Sequence, residues 1–511
     1  LKITENKMKR SKANLSIIIA VVITGMVIHA CDKKKLDLLP HGPTEQSFFL
    51  TEDDFTKATL GVYSKLTDFF WFNAGSEHSP ITVFLLPGDD ITTNQSNEEF
   101  EIFGSLQASN GRLTYLYTRL YHMISRANLV LQKIDAEKGD VYKTANLKNH
   151  HKGEALFLRG YANYNLWNLF GTSPLLLDRI TTTSQFTPSG TTGTQLLDQA
   201  IKDFSEAASL LPATWNAANR GRVTANSANG MLGKSLVFRA SATQAAADYT
   251  AATAAFNKIS GAQLVANFND NFAWDTENNA ESLFEFQASQ AFLFDNVWLD
   301  NDFDNAIGAV SIYWGFYSNN GQGQGGRSRY FGTAKLLNAF NANDPRRDST
   351  LNPTDRTVRK YVSRDKLSQS NVASINNYRI LRFADVLLLK AEAVLQSGGS
   401  TAEAIGYINQ VRARARAMSA GTEPANFSTA ESDKTRIMQW IMDERLRELA
   451  GEGQRWFDLR RWQMQGIISL NGAFFSSNLN SVSFQLPKHL YFPIPTTETD
   501  VNPNIKQNEG Y

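Results

Sequence analysis

Apolar residues recur at steps of three and four through most of the chain, with polar faces between them. That period predicts helices rather than strands. From Glu52 to Leu66, Phe55, Thr59, Val62, Tyr63 and Leu66 share one face, and acidic residues fill the first turn, where the helix dipole favours them. Leu113 to Ile134 carries Leu116, Leu120, Ile124, Ala127 and Leu131 on another such stripe. Glu154 to Phe170 repeats the theme and stops at Gly171 and Pro174. Further helices are predicted over Leu196 to Leu211, Ala225 to Ala240, Ala245 to Ile259, Tyr378 to Gln396, Thr401 to Ala417 and Arg436 to Ala450. Several of these read as two-helix hairpins with small residues at the crossings. Around Gly398-Gly399, for example, Ala391 and Ala393 precede the turn and Ala402, Ala404 and Ile405 follow it. Stacked hairpins of this kind bury one face on the next, as in tetratricopeptide repeats, although no strict period of 34 residues is present. The expected fold class is therefore mainly α, built of tetratricopeptide-like helical pairs.

Two stretches break the period. Phe69 to Gly104 is rich in aromatics, Pro, Asn and Asp, and Phe268 to Gly332 holds many aromatics and the Gly-rich segment Gly321 to Gly326. Long irregular segments in a compact protein are usually functional. Leu470 to Tyr511, with Pro487, Pro493, Pro495 and Pro503, is predicted to be loop.

The N-terminus reads as an address. Met8 is the better start, followed by basic Lys9, Arg10 and Lys12 and an apolar run from Leu15 to Ile28. That run, about 14 residues, is too short for a comfortable span of about 20. A basic region, a short apolar run and a small residue at Ala30 make a secretory signal. Ile28-His29-Ala30-Cys31 resembles a bacterial lipobox, in which the cysteine thiol takes a diacylglycerol and the signal is cut before it. His29 departs from the usual small residue. A plain signal peptide and an uncleaved anchor are the alternatives. Cys31 is the only cysteine in the chain, which excludes an internal disulfide and a Cys-rich zinc site. After lipidation a tether through Lys33, Lys34, Lys35 and Pro40 is expected. The resulting division is 1–30 signal peptide, 31–50 lipidated tether, 51–267 N-terminal helical region, and 268–511 C-terminal region with binding loops and terminal helices.

Composition changes the picture in two ways. Over 511 residues, 51 Lys+Arg against 50 Asp+Glu leave a net charge of +1, which gives no long-range pull on a nucleic acid. Aromatics reach 11%, more than a core alone calls for, so some are left for a binding surface.

A set of spaced motifs runs through the chain: Leu36 to Pro40, Ser47-Phe48-Phe49, the segment Gly153 to Gly171, Asp198 to Pro212, and Gly221 to Phe238. Toward the end come Tyr378 to Gly399, Ala404 to Ala415, Asp443 to Trp462, Tyr491 to Pro495, and Asn502 to Tyr511. In that order, these motifs resemble the SusD/RagB family of outer-membrane nutrient-binding lipoproteins. The close on Gln507 to Tyr511 leads to the expectation of a full-length C-terminus. The resemblance implies a SusD-like fold with loops massed on one side as a ligand-binding face. It implies a lipid-anchored protein at the cell surface, partnered with a SusC-like TonB-dependent transporter, that captures glycans or, less often, peptides. It implies binding without chemistry and without a cofactor.

A pyranose offers an apolar disc rimmed by hydroxyls, so its recognition needs flat aromatic rings with amides, carboxylates or guanidinium groups beside them. Two loop clusters have that mixture. One holds Trp71 and Asn73, with Asp89, Asp90 and Asn94 downstream; the other holds Trp298, Asp300, Tyr313, Trp314, Tyr317 and Asn320. The expected ligand contacts are Trp71, Asn73, Asp89, Asn94, Trp298, Tyr313, Trp314, Tyr317 and Asn320, with both clusters converging on one face. The plainer alternative is that these rings anchor the loops. In Arg455 to Trp462, Arg455 and Asp458 are placed to pair at i,i+3, with Trp456 and Trp462 wedging helix pairs together. Arg445, Arg447 and Glu448 are expected in a partly buried ionic network.

Other motifs fail on spacing. Gly321-x-Gly323-x-x-Gly326 does not join a buried strand to a helix, and Gly233-Lys234-Ser235 lacks the first glycine of a phosphate loop and lies in a helical pattern. Asp300, Asp302 and Asp304 have Asn305 and Ser311 where an EF-hand needs Gly and Glu. A looser structural Ca²⁺ site in the loops stays an alternative. A surface glycoside hydrolase would need two carboxylates about 5–10 Å apart, for which Asp89, Asp90 and Asp300 are available. A structural adaptor that holds a protein partner is the third class.

Overall fold

The computed structural model describes residues 45–70, 81–288, 330–361 and 376–511, apart from the side chains of Gln46 and Phe70. The chain divides into two compact units, residues 1–54 and 55–511. In the first, a short helix spans Glu45–Phe48, and Thr51 and Asp54 cap the helix that follows. The Asp54 carboxylate accepts from the Thr51 N–H at 2.9 Å, and the Asp54 N–H donates to Thr51 Oγ1 at 3.2 Å. This reciprocal pair explains why that helix begins at Glu52.

Ten helices of eight or more residues occur among the described residues. They are α1 (Glu52–Tyr63), α2 (Gly111–Ala136), α3 (Leu147–Phe170), α4 (Gln195–Leu210), α5 (Ala225–Thr243), α6 (Ala246–Phe256), α7 (Phe383–Gln396), α8 (Thr401–Arg416), α9 (Lys434–Leu449) and α10 (Arg455–Gln465). Consecutive helices pack on each other from α2 to α9, and α10 lies against α5. This is the stacked-pair arrangement expected from the periodicity. The stripe Leu113, Leu116, Leu120, Ile124, Ala127 and Leu131 is buried along α2. α3 lies between α2 and α4 and is buried on all sides from Gly153 to Phe170. A polar residue inside such a helix must find a partner. Arg159 does so with a bidentate bond to Asp203 of α4, at 2.9 and 2.7 Å.

Four short strands tie the irregular segments together. β1 (Ile91–Thr93) pairs antiparallel with β3 (Tyr330–Gly332), and β2 (Ser282–Phe286) pairs antiparallel with β4 (Tyr378–Arg382). β4 corrects the sequence expectation of one helix from Tyr378 to Gln396. Its residues are all buried, and a short apolar run with long arginines carries no period that separates strand from helix.

The expected ionic network is present in part: Glu448 and Arg447 belong to one large cluster, and Arg445 belongs to a second. Glu444, Glu448 and Glu452 stand four apart at the end of α9 and just past it. Arg346 bonds Glu444 at 2.7 Å and Glu448 at 2.8 Å; Arg382 bonds Glu448 at 2.7 Å and Glu452 at 2.8 Å. Arg412, Arg414, Lys360 and Glu281 complete it. Burial alone would raise the Glu444 carboxyl, but Arg346, Arg447 and Arg412 hold it down at about 2. A second cluster joins α5, α7, α9 and α10: Lys234–Asp385 at 2.8 Å, Asp385–Arg445 at 2.7 Å and Arg445–Asp458 at 2.8 Å. Removing one member of such a cluster leaves an uncompensated buried charge, which costs about 3–5 kcal/mol.

The motif Arg455 to Trp462 is structural, as expected, but its pairing is corrected. Arg455 bonds Asp89 rather than Asp458, while Asp458 pairs at i,i+3 with Arg461 at 2.9 Å. Trp456 and Trp462 are buried, Trp456 among Phe103, Phe484 and Phe492, and Trp462 beneath Arg455 and Arg461.

Candidate functional site

The turn Gly451-Glu452-Gly453, between α9 and α10, is a hub. Gly451 and Gly453 have φ of 73° and 68°, values that side chains rarely adopt. A Cβ on Gly453 would also lie 2.8 Å from Tyr378 Oη and 3.2 Å from Phe84 Cβ. The Gly451 N–H donates to Asp90 at 2.9 Å, Tyr378 Oη donates to the Glu452 carbonyl at 2.5 Å, and Lys360 bonds the Glu452 carboxylate at 2.8 Å.

Several separate segments reach this turn, through Phe84, Asp90, Lys360 and Tyr378. The Phe69 ring meets Tyr161, which meets Phe284 of β2. Phe84 packs on Phe457, and with Ile81, Tyr161 and Tyr378 it lines a small cavity of about 40 Å³. The Ala288 N–H donates to Asn377 Oδ1 at 2.7 Å. Thr333, next to β3, bonds the carbonyls of Asp89 and Asp90 at 2.7 and 2.9 Å. Tyr361 stacks on Tyr378 with centroids 5.6 Å apart, and Asn376 donates to the Phe272 carbonyl at 2.7 Å. Residues 89–93 and residues 330–333, from the two irregular stretches, therefore lie side by side.

Of the expected ligand contacts, Trp71, Asn73, Trp298, Tyr313, Trp314, Tyr317 and Asn320 lie outside the described residues, as does the lipidation cysteine Cys31. Asn94 is exposed. Asp89 is corrected: its carboxylate is fully buried, bonded to Arg455 at 2.5 Å and to Lys335 at 2.6 Å. Burial would raise it, yet the two cations hold it at about 2, so it is spent on the protein. Asp90, its neighbour, is buried too. Burial pushes its carboxyl up to about 6, with the Gly451 N–H offsetting only part. Neither is placed as a hydrolytic carboxylate facing a cleft; Asp300 lies outside the described residues. No cluster of His, Cys, Asp or Glu suited to a metal occurs among the described residues. No described helix is long and apolar enough to cross a membrane.

Of the hub residues, Asp90 was named from sequence only as a loop or hydrolytic carboxylate, and Thr333, Tyr378 and Gly451 were not singled out. The one available signal was the pair of glycines two apart directly after a strongly ionic helix.

A stack of helical pairs that gathers its irregular segments on a single turn defines a scaffold for presenting loops. The chain belongs to the SusD family: residues 243–511, more than half of it, match the model described as SusD family, and residues 71–236 match the one described as starch-binding associating with outer membrane. It is 25% identical over 519 residues to SusD-like protein P2 of Formosa agariphila, covering 91% of this chain and 94% of that one. Among solved structures, a SusD homolog from Bacteroides thetaiotaomicron superposes with a TM-score of 0.72 at 21% identity, covering 92% of this chain and 99% of the other. Surface glycan-binding protein A from Bacteroides uniformis gives 0.69 at 22% identity, covering 90% and 99%. These two likenesses show the fold.

Proposed function

We propose that this chain is a non-catalytic, lipid-anchored protein of the outer membrane, facing the exterior, that binds oligosaccharides and passes them to a SusC-like TonB-dependent transporter. The observation that carries the reading is SusD-family membership across both halves of the chain, including the match to the starch-binding model over residues 71–236. The likeness to surface glycan-binding protein A of Bacteroides uniformis supports the ligand class. The hub supports convergence of the two loop clusters. Asp90 of the first stretch bonds Gly451 and Thr333 of the second bonds Asp90, and rigid support of this kind lowers the ordering cost of binding. Binding is assigned to the aromatic residues Trp71, Trp298, Trp314 and Tyr317 rather than to Asp89.

Affinity electrophoresis on a panel of soluble glycans tests this. The wild-type chain is expected to be retarded by at least one glycan without releasing cleavage products. The fourfold change of Trp71, Trp298, Trp314 and Tyr317 to alanine is expected to weaken that retention at least tenfold, about 1.4 kcal/mol, while the unfolding midpoint stays within about 2 °C. Unchanged affinity in the fourfold variant would exclude these rings as the site.

A further inference from the structure

A second cavity, of about 470 Å³, opens beside β2, and none of the hub residues lines it. Its walls are the segment around Trp215, the start of α5, residues 260–262 and β2 itself. That volume falls within the roughly 300–1,000 Å³ of small-molecule sites.

Its chemistry sorts into a fixed frame and an open set. The frame is spent. Asn226 exchanges two bonds with the Ser260 backbone, at 2.7 and 3.2 Å. Asn279 bonds four backbone groups, and Glu285 is taken by the Asn278 N–H and by Arg379. Trp215 is held as a rigid apolar wall: its Nε1 donates to the Val223 carbonyl at 2.8 Å, and Arg222 lies over its ring at 4.2 Å. The Arg222 charge is itself neutralised by Glu154 at 2.5 Å.

The open set is different. Arg220 donates through Nη2 to the carbonyls of Glu277 and Asn278, at 2.9 and 3.0 Å, and makes no ion pair among the described residues. Its other guanidinium N–H groups and the hydroxyls of Thr214, Ser260 and Ser282 have no partner there either, although all four residues line the cavity. A locked indole beside a guanidinium with N–H groups to spare and three unspent hydroxyls matches an apolar disc rimmed by hydroxyls.

We propose that this cavity is a second saccharide subsite, with Trp215 as its wall and Arg220, Ser260 and Ser282 bonding the sugar hydroxyls. The inference rests on the glycan-binding reading of the chain. It predicts a weak binding phase that does not depend on the loop aromatics.

The test titrates the full chain by calorimetry with maltoheptaose, laminarihexaose, cellohexaose, mannohexaose and xylohexaose, and carries forward whichever binds the wild type. In the fourfold loop-alanine variant a residual weak phase is expected. Adding Arg220→Ala or, separately, Trp215→Ala to that background is expected to weaken the phase about tenfold or more. Arg220 is exposed, so its variant keeps the fold, which far-ultraviolet circular dichroism checks. Binding by the wild type with no residual phase in the loop variant, or a residual phase untouched by Arg220→Ala, overturns this inference alone. Failure of every sugar to bind the wild type overturns the glycan reading, and this inference with it.

Discussion

Asp90 holds a negative charge where little favours it. Its Oδ2 accepts from the Gly451 N–H, its Oδ1 has no partner among the described residues, and the side chain is 2% exposed. Burial lifts its pKa from 3.8 to about 6. The folded chain therefore binds more protons than the unfolded chain between about pH 4 and 6, so this group lowers stability as pH rises through that window. At about 1.4 kcal/mol for each pH unit, a rise of that size corresponds to about 3 kcal/mol. Asp90→Asn keeps an acceptor for Gly451 and removes the titration. Urea unfolding of both proteins from pH 4 to 8 is expected to show the variant gaining up to about 3 kcal/mol on the wild type, mostly below pH 7. A difference that stays flat with pH would contradict the assignment. The same pair of aspartates marks where sequence reading stops. Two carboxylates in an aromatic loop read as solvent-facing, but Asp89 is claimed by Arg455, 366 positions further on. No local pattern signals a partner at that distance. Arg455 likewise passes over Asp458, three residues away, for that buried carboxylate.

Helices were the legible elements, because each exposes enough polar surface to print a period. α2 begins and ends within two residues of its predicted span. α3 begins at Leu147 rather than Glu154, since its first turns are polar and the rest is buried all round. β4 was hidden for the opposite reason: five buried residues print no alternation. The glycine of Gly233-Lys234-Ser235 has a packing explanation at this scale. A Cβ there would overlap the Phe256 ring of α6, so the glycine lets α5 and α6 approach, and Lys234 turns the other way to Asp385. A β-branched residue at this crossing cannot be housed without moving the ring. Gly233→Val is expected to lower stability by about 1–3 kcal/mol despite the better helix propensity of valine, read as a shift in the urea midpoint. A variant as stable as the wild type would show that the crossing has slack.

Across the whole molecule, a net charge of +1 conceals a charge distribution that is far from bland. Many of the balancing pairs sit inside, where Arg346, Arg382 and Arg461 are fully buried against Glu444, Glu448, Glu452 and Glu392. The family and its helical scaffold could be read from spaced motifs, and several of these, such as Gly153 to Gly171 and Asp443 to Trp462, are largely buried. The proposed ligand contacts were named only from composition, since loops carry no period. The proposed lipid anchor belongs to this scale as well. Acyl chains contribute about 0.8 kcal/mol per buried CH₂, so, on that proposal, loss of Cys31 releases the chain. Cys31→Ser is expected to abolish labelling by a palmitate analogue and to move the protein from the membrane fraction to the soluble one. Continued labelling of that variant would remove Cys31 as the anchor. The bonds from the Gly451 N–H to Asp90 and from Tyr378 to the Glu452 carbonyl carry a broader consequence. Positions as far apart along the chain as 90 and 451 are pinned to one turn, so a disturbance there is felt by all of them at once.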